Sequence, residues 1–185
     1  MALAILAGMR RRLVNSWLML VLGLCVAAPE TGGCGGSERA AAPAEPWPQG
    51  LARPATAAEA NTLRASGAVW TNLQARQLYL ERVAAIAEQD ARLKAQGATA
   101  EARAQAAFQT RREARMTARA MMQDAAEVAA LEARDREKYG APDGPTFLYL
   151  VEKAQQNGLA GDAVYESIVE SAQRTDAATN RGLGL

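Results

Sequence analysis

Apolar residues recur every three to four positions over much of residues 56–175, and long β-branched runs are missing, so the pattern predicts helices rather than strands. A first short helix opens at Thr56, with Glu59 at capping-box spacing, and ends at Gly67. From 69 to 96 the stripe is strong. Trp70, Leu73, Leu80, Val83, Ala84 and Ala87 fall near heptad a/d spacing, and Tyr79, Ile86 and Leu93 widen it. "QGAT" breaks this helix, with Gly97 suited to follow its end and Thr99 to cap the next. A long helix is then predicted over 100–138, reaching about 58 Å at 1.5 Å per residue. Its stripe (Ala104, Ala107, Phe108, Ala114, Ala118, Met121, Ala125, Val128, Leu131) is built mostly from small residues, so a partner helix can approach closely.

The short turn makes the two long helices antiparallel neighbours, a coiled-coil-like hairpin over 57–139. "YGAPDGP" ends it. Two short helices follow within a C-terminal unit, 140–185. The first buries Phe147, Leu150, Val151 and Ala154, and the second Val164, Ile168, Ala172 and Tyr165. The tail can dock through Leu183 and Leu185. The expected fold is all-α: a long antiparallel hairpin, a short helical pair packed at its base, and a disordered N-terminal tether.

Composition narrows the chemistry. Aromatics are only 5% of the chain and alanine is abundant, which favours helices. There is no histidine, which excludes Ser-His-Asp and Cys-His nucleophilic sites, HNH-type nuclease sites and His-ligated zinc. The two cysteines, Cys25 and Cys34, lie near the start and cannot staple the body. Neither a metal site, a cofactor nor a catalytic residue is expected. An enzymatic role is the less favoured expectation.

The N-terminus reads as an export signal over 1–33. Arg10, Arg11 and Arg12 precede an apolar run of about 16 residues, shorter than the roughly 20 of a membrane-spanning helix. Either Met1 or Met9 fits as the start, and "RRRLV" loosely fits a twin-arginine signal. "TGGC", residues 31–34, resembles a bacterial lipobox, which implies lipidation of Cys34 and attachment to a membrane. Gly33 fits that motif, whereas Thr31 departs from its usual leucine. The rival "LGLC" places bulky Leu24 before Cys25. An ordinary cleaved signal ending near Ala27 is the alternative. Gly35 and Gly36, rather than aspartate, follow Cys34, and in the lipoprotein families this resembles that implies the outer membrane, facing the periplasm or the surface. Residues 34–56, rich in Gly, Ala and Pro, read as a disordered tether in which Trp47 is a lone aromatic. Cleavage before Cys34 removes three arginines and Glu30, leaving a near-neutral body that argues against nucleic acid as a partner.

Three clusters are candidate sites. Arg111, Arg115 and Arg119, spaced by four, share a helix face with Arg112 beside them, as an anion- or partner-binding patch would. The competing reading pairs Arg111 and Arg115 across the hairpin with Glu81 and Glu88. Lys138, Tyr139, Gly140, Asp143, Gly144, Pro145 and Thr146 crowd a loop where function could sit. There the competing roles are Asp143 and Thr146 as helix caps and Pro145 in a first turn. Glu166 and Glu170, at i and i+4, are a carboxylate pair or, more simply, a solvated face.

Residues 137–176 resemble a segment near the C-terminus of some secreted bacterial polymorphic-toxin and hemagglutinin-like proteins. The similarity rests on Lys138, Tyr139, Gly140, Gly144, Pro145 and Thr146, then Ile168, Val169, Glu170, Ser171, Ala172 and Arg174. It covers about a fifth of the chain, departs at 141–143 and in the 155–162 connector, and implies no catalytic residues.

The leading expectation is a membrane-tethered helical interaction or structural lipoprotein of a bacterial envelope with an unknown protein partner. The alternatives are a secreted effector, or its accessory, and a periplasmic chaperone or adaptor. Alanine-rich hairpins often dimerise, so a homodimer is one expectation and a stripe satisfied within one chain the other.

Overall fold

The computed structural model describes residues 45–174, and five of the six helices among them begin at a side-chain cap that the sequence supplies. The helices are α1 (Ala57–Ala65), α2 (Asn72–Ala95), α3 (Ala100–Met121), α4 (Ala125–Tyr139), α5 (Phe147–Gln156) and α6 (Asp162–Gln173), with no strand among the described residues. Thr56, Thr71, Thr99, Asp124 and Thr146 cap the first five, each accepting a backbone N–H of the first turn. At α2 the cap is reciprocal, because the Gln74 side chain accepts the Thr71 N–H. At α1, by contrast, Glu59 reaches back to the Ala55 N–H.

α3 is the helix around which the others assemble. α1, α2 and α6 pack directly on it, and α5 packs on α6. α2 runs antiparallel to α3: the Asn72 side chain accepts the Gln123 N–H at one end, and Arg103 meets Asp90 at the other. α1 runs with α3, since Glu113 accepts the Ala57 N–H and Arg64 donates to the Met122 carbonyl. Trp70, Tyr79, Val83, Ile86 and Met121 are its largest buried apolar groups, and Ala104, Ala107, Ala114 and Ala118 supply the close-packed face of α3.

The expected 100–138 helix is two helices. Met121 and Met122 are both buried where the helix stops. Met122 adopts an extended conformation (ψ 136°), and Asp124 accepts the Ala126 and Glu127 N–H groups to start α4. α3 therefore spans about 33 Å rather than 58 Å. Within α2 the core face is also rotated from the expected one. Tyr79, Val83 and Ile86 form its centre with Ala75 and Leu78, while Leu73, Ala84 and Ala87 face outward.

The tether was expected to reach residue 56, but residues 45–55 belong to the body. Pro54 is fully buried. Gln74 donates to the Pro46 carbonyl, Arg53 pairs with Glu81, and Arg82 donates to the Pro54 and Ala55 carbonyls. Trp47 donates to the Leu51 carbonyl at 2.8 Å and lies 4.7 Å under the Arg53 guanidinium, so it organises this strap rather than standing alone. The leader over 1–33, residues 34–44 and the tail with Leu183 and Leu185 lie outside the described residues.

Candidate functional site

Arg111, Arg112, Arg115 and Arg119 of α3 and the 138–146 loop, two separate candidates in the sequence, form one assembly. α3 presents Arg112, Arg115 and Arg119 beneath the loop as it crosses from α4 to α5. Arg119 donates to the Pro142 carbonyl (2.7 Å) and to Asp135, Arg115 to the Asp143 carbonyl, and Arg112 to the Asp143 carboxylate. One turn earlier, Arg111 donates to the Ser171 and Ala172 carbonyls at the end of α6 (2.7 and 2.6 Å). The acceptors are thus mostly carbonyls. A guanidinium carries five donors in a fixed fork, which suits carbonyls splayed from a turn.

This overturns the expected pairing with α2. Glu81 is taken by Arg53, and Glu88 is exposed. Spacing by four puts the arginines on one face but does not say which neighbour that face meets. Burial pushes the Arg115 guanidinium below its ordinary value, and the flanking charges of Arg119 and Arg111 add to this. It stays charged and lies against the loop.

Gly144 makes that contact possible. Its φ is +98°, and a Cβ there would overlap the Arg115 guanidinium, lying 2.7 Å from Cζ. Gly140 ends α4 in the left-handed conformation, and Thr146 caps α5 as expected. Two expectations fail. Asp143 caps nothing, being held by Arg112. Pro145 precedes the Thr146 cap rather than entering the first turn. Tyr139 packs edge-on against Tyr149 at 5.0 Å, with the Lys138 ammonium 5.1 Å from its ring.

Two further clusters escaped the sequence reading. Arg103, 5% exposed, binds Glu166 through both terminal nitrogens (2.9 and 2.8 Å) and Asp90 through Nε (2.8 Å). The Glu166 and Asp90 hydrogen bonds raise Arg103 above its ordinary value, and the Arg103 bond holds Glu166 below its own. The 63-residue separation left no local signal for this pair. Glu166 is therefore a structural partner, whereas Glu170 is solvated as expected. The second cluster is a cleft of about 450 Å³ lined by Ala55, Arg82, Gln109, Thr110, Glu113 and Ala114. Burial lowers Arg82 from its ordinary value, and its donors serve the strap carbonyls and Thr117. Glu113 accepts the Ala57 N–H, and Thr110 donates to Gln89. Each of these charged groups thus has a structural partner.

Among the described residues no group of three or more His, Cys, Asp or Glu side chains is placed to hold a metal ion, and no helix is long and apolar enough to cross a membrane. Cys34 lies outside the described residues. No protein-family model, curated protein or solved structure matches the chain.

Proposed function

We propose that this chain is a helical interaction protein of a bacterial envelope, tethered to a membrane through lipidated Cys34 and acting by binding an unidentified protein partner. The observation that carries this reading is the inward use of the candidate site. Arg111, Arg112, Arg115 and Arg119 hold the 140–145 loop and the end of α6, so the groups best suited to an anion site or a catalytic loop act in holding the fold. The functional weight then rests on "TGGC" and its apolar leader.

The test is the intact mass of the protein from the membrane fraction, beside a Cys34→Ser variant. A chain beginning at an acylated Cys34, lost in the variant, is expected. An unmodified chain cleaved near Ala27 would refute it and favour a secreted effector. That effector reading is tested by producing residues 45–185 in a bacterial cytoplasm, keeping the strap because it is part of the body. No growth defect is expected.

A further inference from the structure

The two ends of the α2–α3 hairpin differ in character. The end where α2 turns into α3 carries Arg92, Lys94 and Glu101. The opposite end is formed by residues 65–73, "ASGAVWTNL", without a single charged side chain. Among the described residues, two of the three most exposed large apolar residues lie there, Val69 at 68% and Leu73 at 50%, and the third, Leu148, sits elsewhere on α5. This tip is braced: Arg64 and Gln123 tie the α3–α4 connection to it through the Met122 and Trp70 carbonyls, and Asn72 takes the Gln123 N–H.

The described chain also begins at this end. Glu45 accepts the Thr71 hydroxyl proton at the α2 cap, and the Pro46 carbonyl accepts from Gln74. Only residues 35–44 lie between Glu45 and Cys34, a contour of about 40 Å at most. The charges nearest the tip are mixed, with Arg64 and Arg76 against Glu45, Asp124 and Glu127, so the rim offers no strong attraction to anionic lipid.

We infer that the 65–73 tip docks on the bilayer surface, seating Val69 and Leu73 among the lipid headgroups. This rests on the tether proposed above. Two side chains are too little apolar surface to hold a free protein on a membrane. A short tether makes the contact effectively intramolecular, and weak contacts are then populated. Docking sets the body with its charged α2–α3 turn pointing away from the membrane, toward partners, and it needs no anionic lipid.

The test uses the protein extracted from its own membrane fraction and reconstituted in neutral phosphatidylcholine vesicles, beside a Val69→Ser/Leu73→Ser double variant. Both substitutions fall on exposed positions, and a matching thermal transition checks that the fold is kept. Amide hydrogen exchange at 66–68 and 71–72 is expected to be several-fold slower in the native sequence than in the variant. Exchange at 96–99, on the far turn, is expected to be equal. An acylated Cys34 with equal exchange at the tip overturns docking and leaves the tether standing, whereas an unacylated Cys34 overturns both. Protection that grows with protein density at fixed lipid identifies a second copy as the occupant and overturns lipid docking.

Discussion

Gly144 is the residue on which the loop's contact with α3 depends, because it combines a left-handed backbone with contact against a guanidinium. A side chain there takes a strained φ and displaces the end of the Arg115 side chain, so Gly144→Ala is expected to lower the unfolding free energy by about 1–3 kcal/mol in urea titrations. At Gly140, where only φ is special and the space is open, the same change is expected to stay near 1 kcal/mol. Glu166 makes the second residue-scale prediction. Its carboxyl is held below its ordinary value of 4.5 by the Arg103 hydrogen bond. A group whose folded-state value is depressed contributes stability above its unfolded value and loses it as pH falls through the folded one. The Tm difference between the native protein and Glu166→Gln is therefore expected to be constant near neutrality and to shrink as pH drops below about 4.5. A difference that persists unchanged to pH 3 would mean that the pair contributes through packing alone.

At the scale of elements, the sequence was most legible where local chemistry decides. The caps at Thr56, Thr99 and Thr146, the glycine stops at 97 and 140 and the faces of α5 and α6 follow from their own residues. What it did not reveal depends on neighbours. Of the expected stripe Trp70, Tyr79, Val83 and Ile86 are buried, whereas Leu73, Ala84 and Ala87, selected by heptad spacing, face outward because the alanine face of α3 meets the Tyr79 side of α2. The strap looked too polar and proline-rich to fold, yet its carbonyls find donors on Gln74 and Arg82, residues 28 positions away. The α3–α4 break had a readable signal, Asp124 with Glu127 three residues on, but the continuing apolar stripe masked it. If that cap is what starts α4, Asp124→Ala should lower stability by about 1 kcal/mol. The α3–α4 bend, held by buried Met121 and Met122, should remain, so far-UV circular dichroism is expected to stay unchanged while the urea midpoint falls.

At the scale of the whole molecule, under the attachment proposed through Cys34, the strap sets how much chain is left between the helical body and that residue. With residues 45–55 docked, Glu45 is held at the α2 cap, and at most about 40 Å of contour separates it from Cys34. With the strap released back to Thr56, that reach roughly doubles. Arg82 is the side chain that holds this choice. It is partly buried in the cleft beside α3, and its guanidinium gathers the Pro54 and Ala55 carbonyls with the Thr117 hydroxyl. Charge-assisted bonds of this kind contribute about 1.5–3 kcal/mol each, more than the half-exposed Arg53–Glu81 pair further along the strap can supply. Arg82→Gln should thus free the strap before it unfolds the bundle. The hydrogen-bonded strap amides, those of Leu51 and Ala55, are expected to exchange faster by about tenfold or more, the factor given by about 1.4 kcal/mol. Those of α2 and α3 should change little. Uniform acceleration across both helices would instead mean that Arg82 supports the bundle as a whole and that strap and body open together. Local acceleration would make the Arg82 contacts the determinant of whether the strap stays on the helical body and so, under the proposed attachment, of the length of chain left to Cys34.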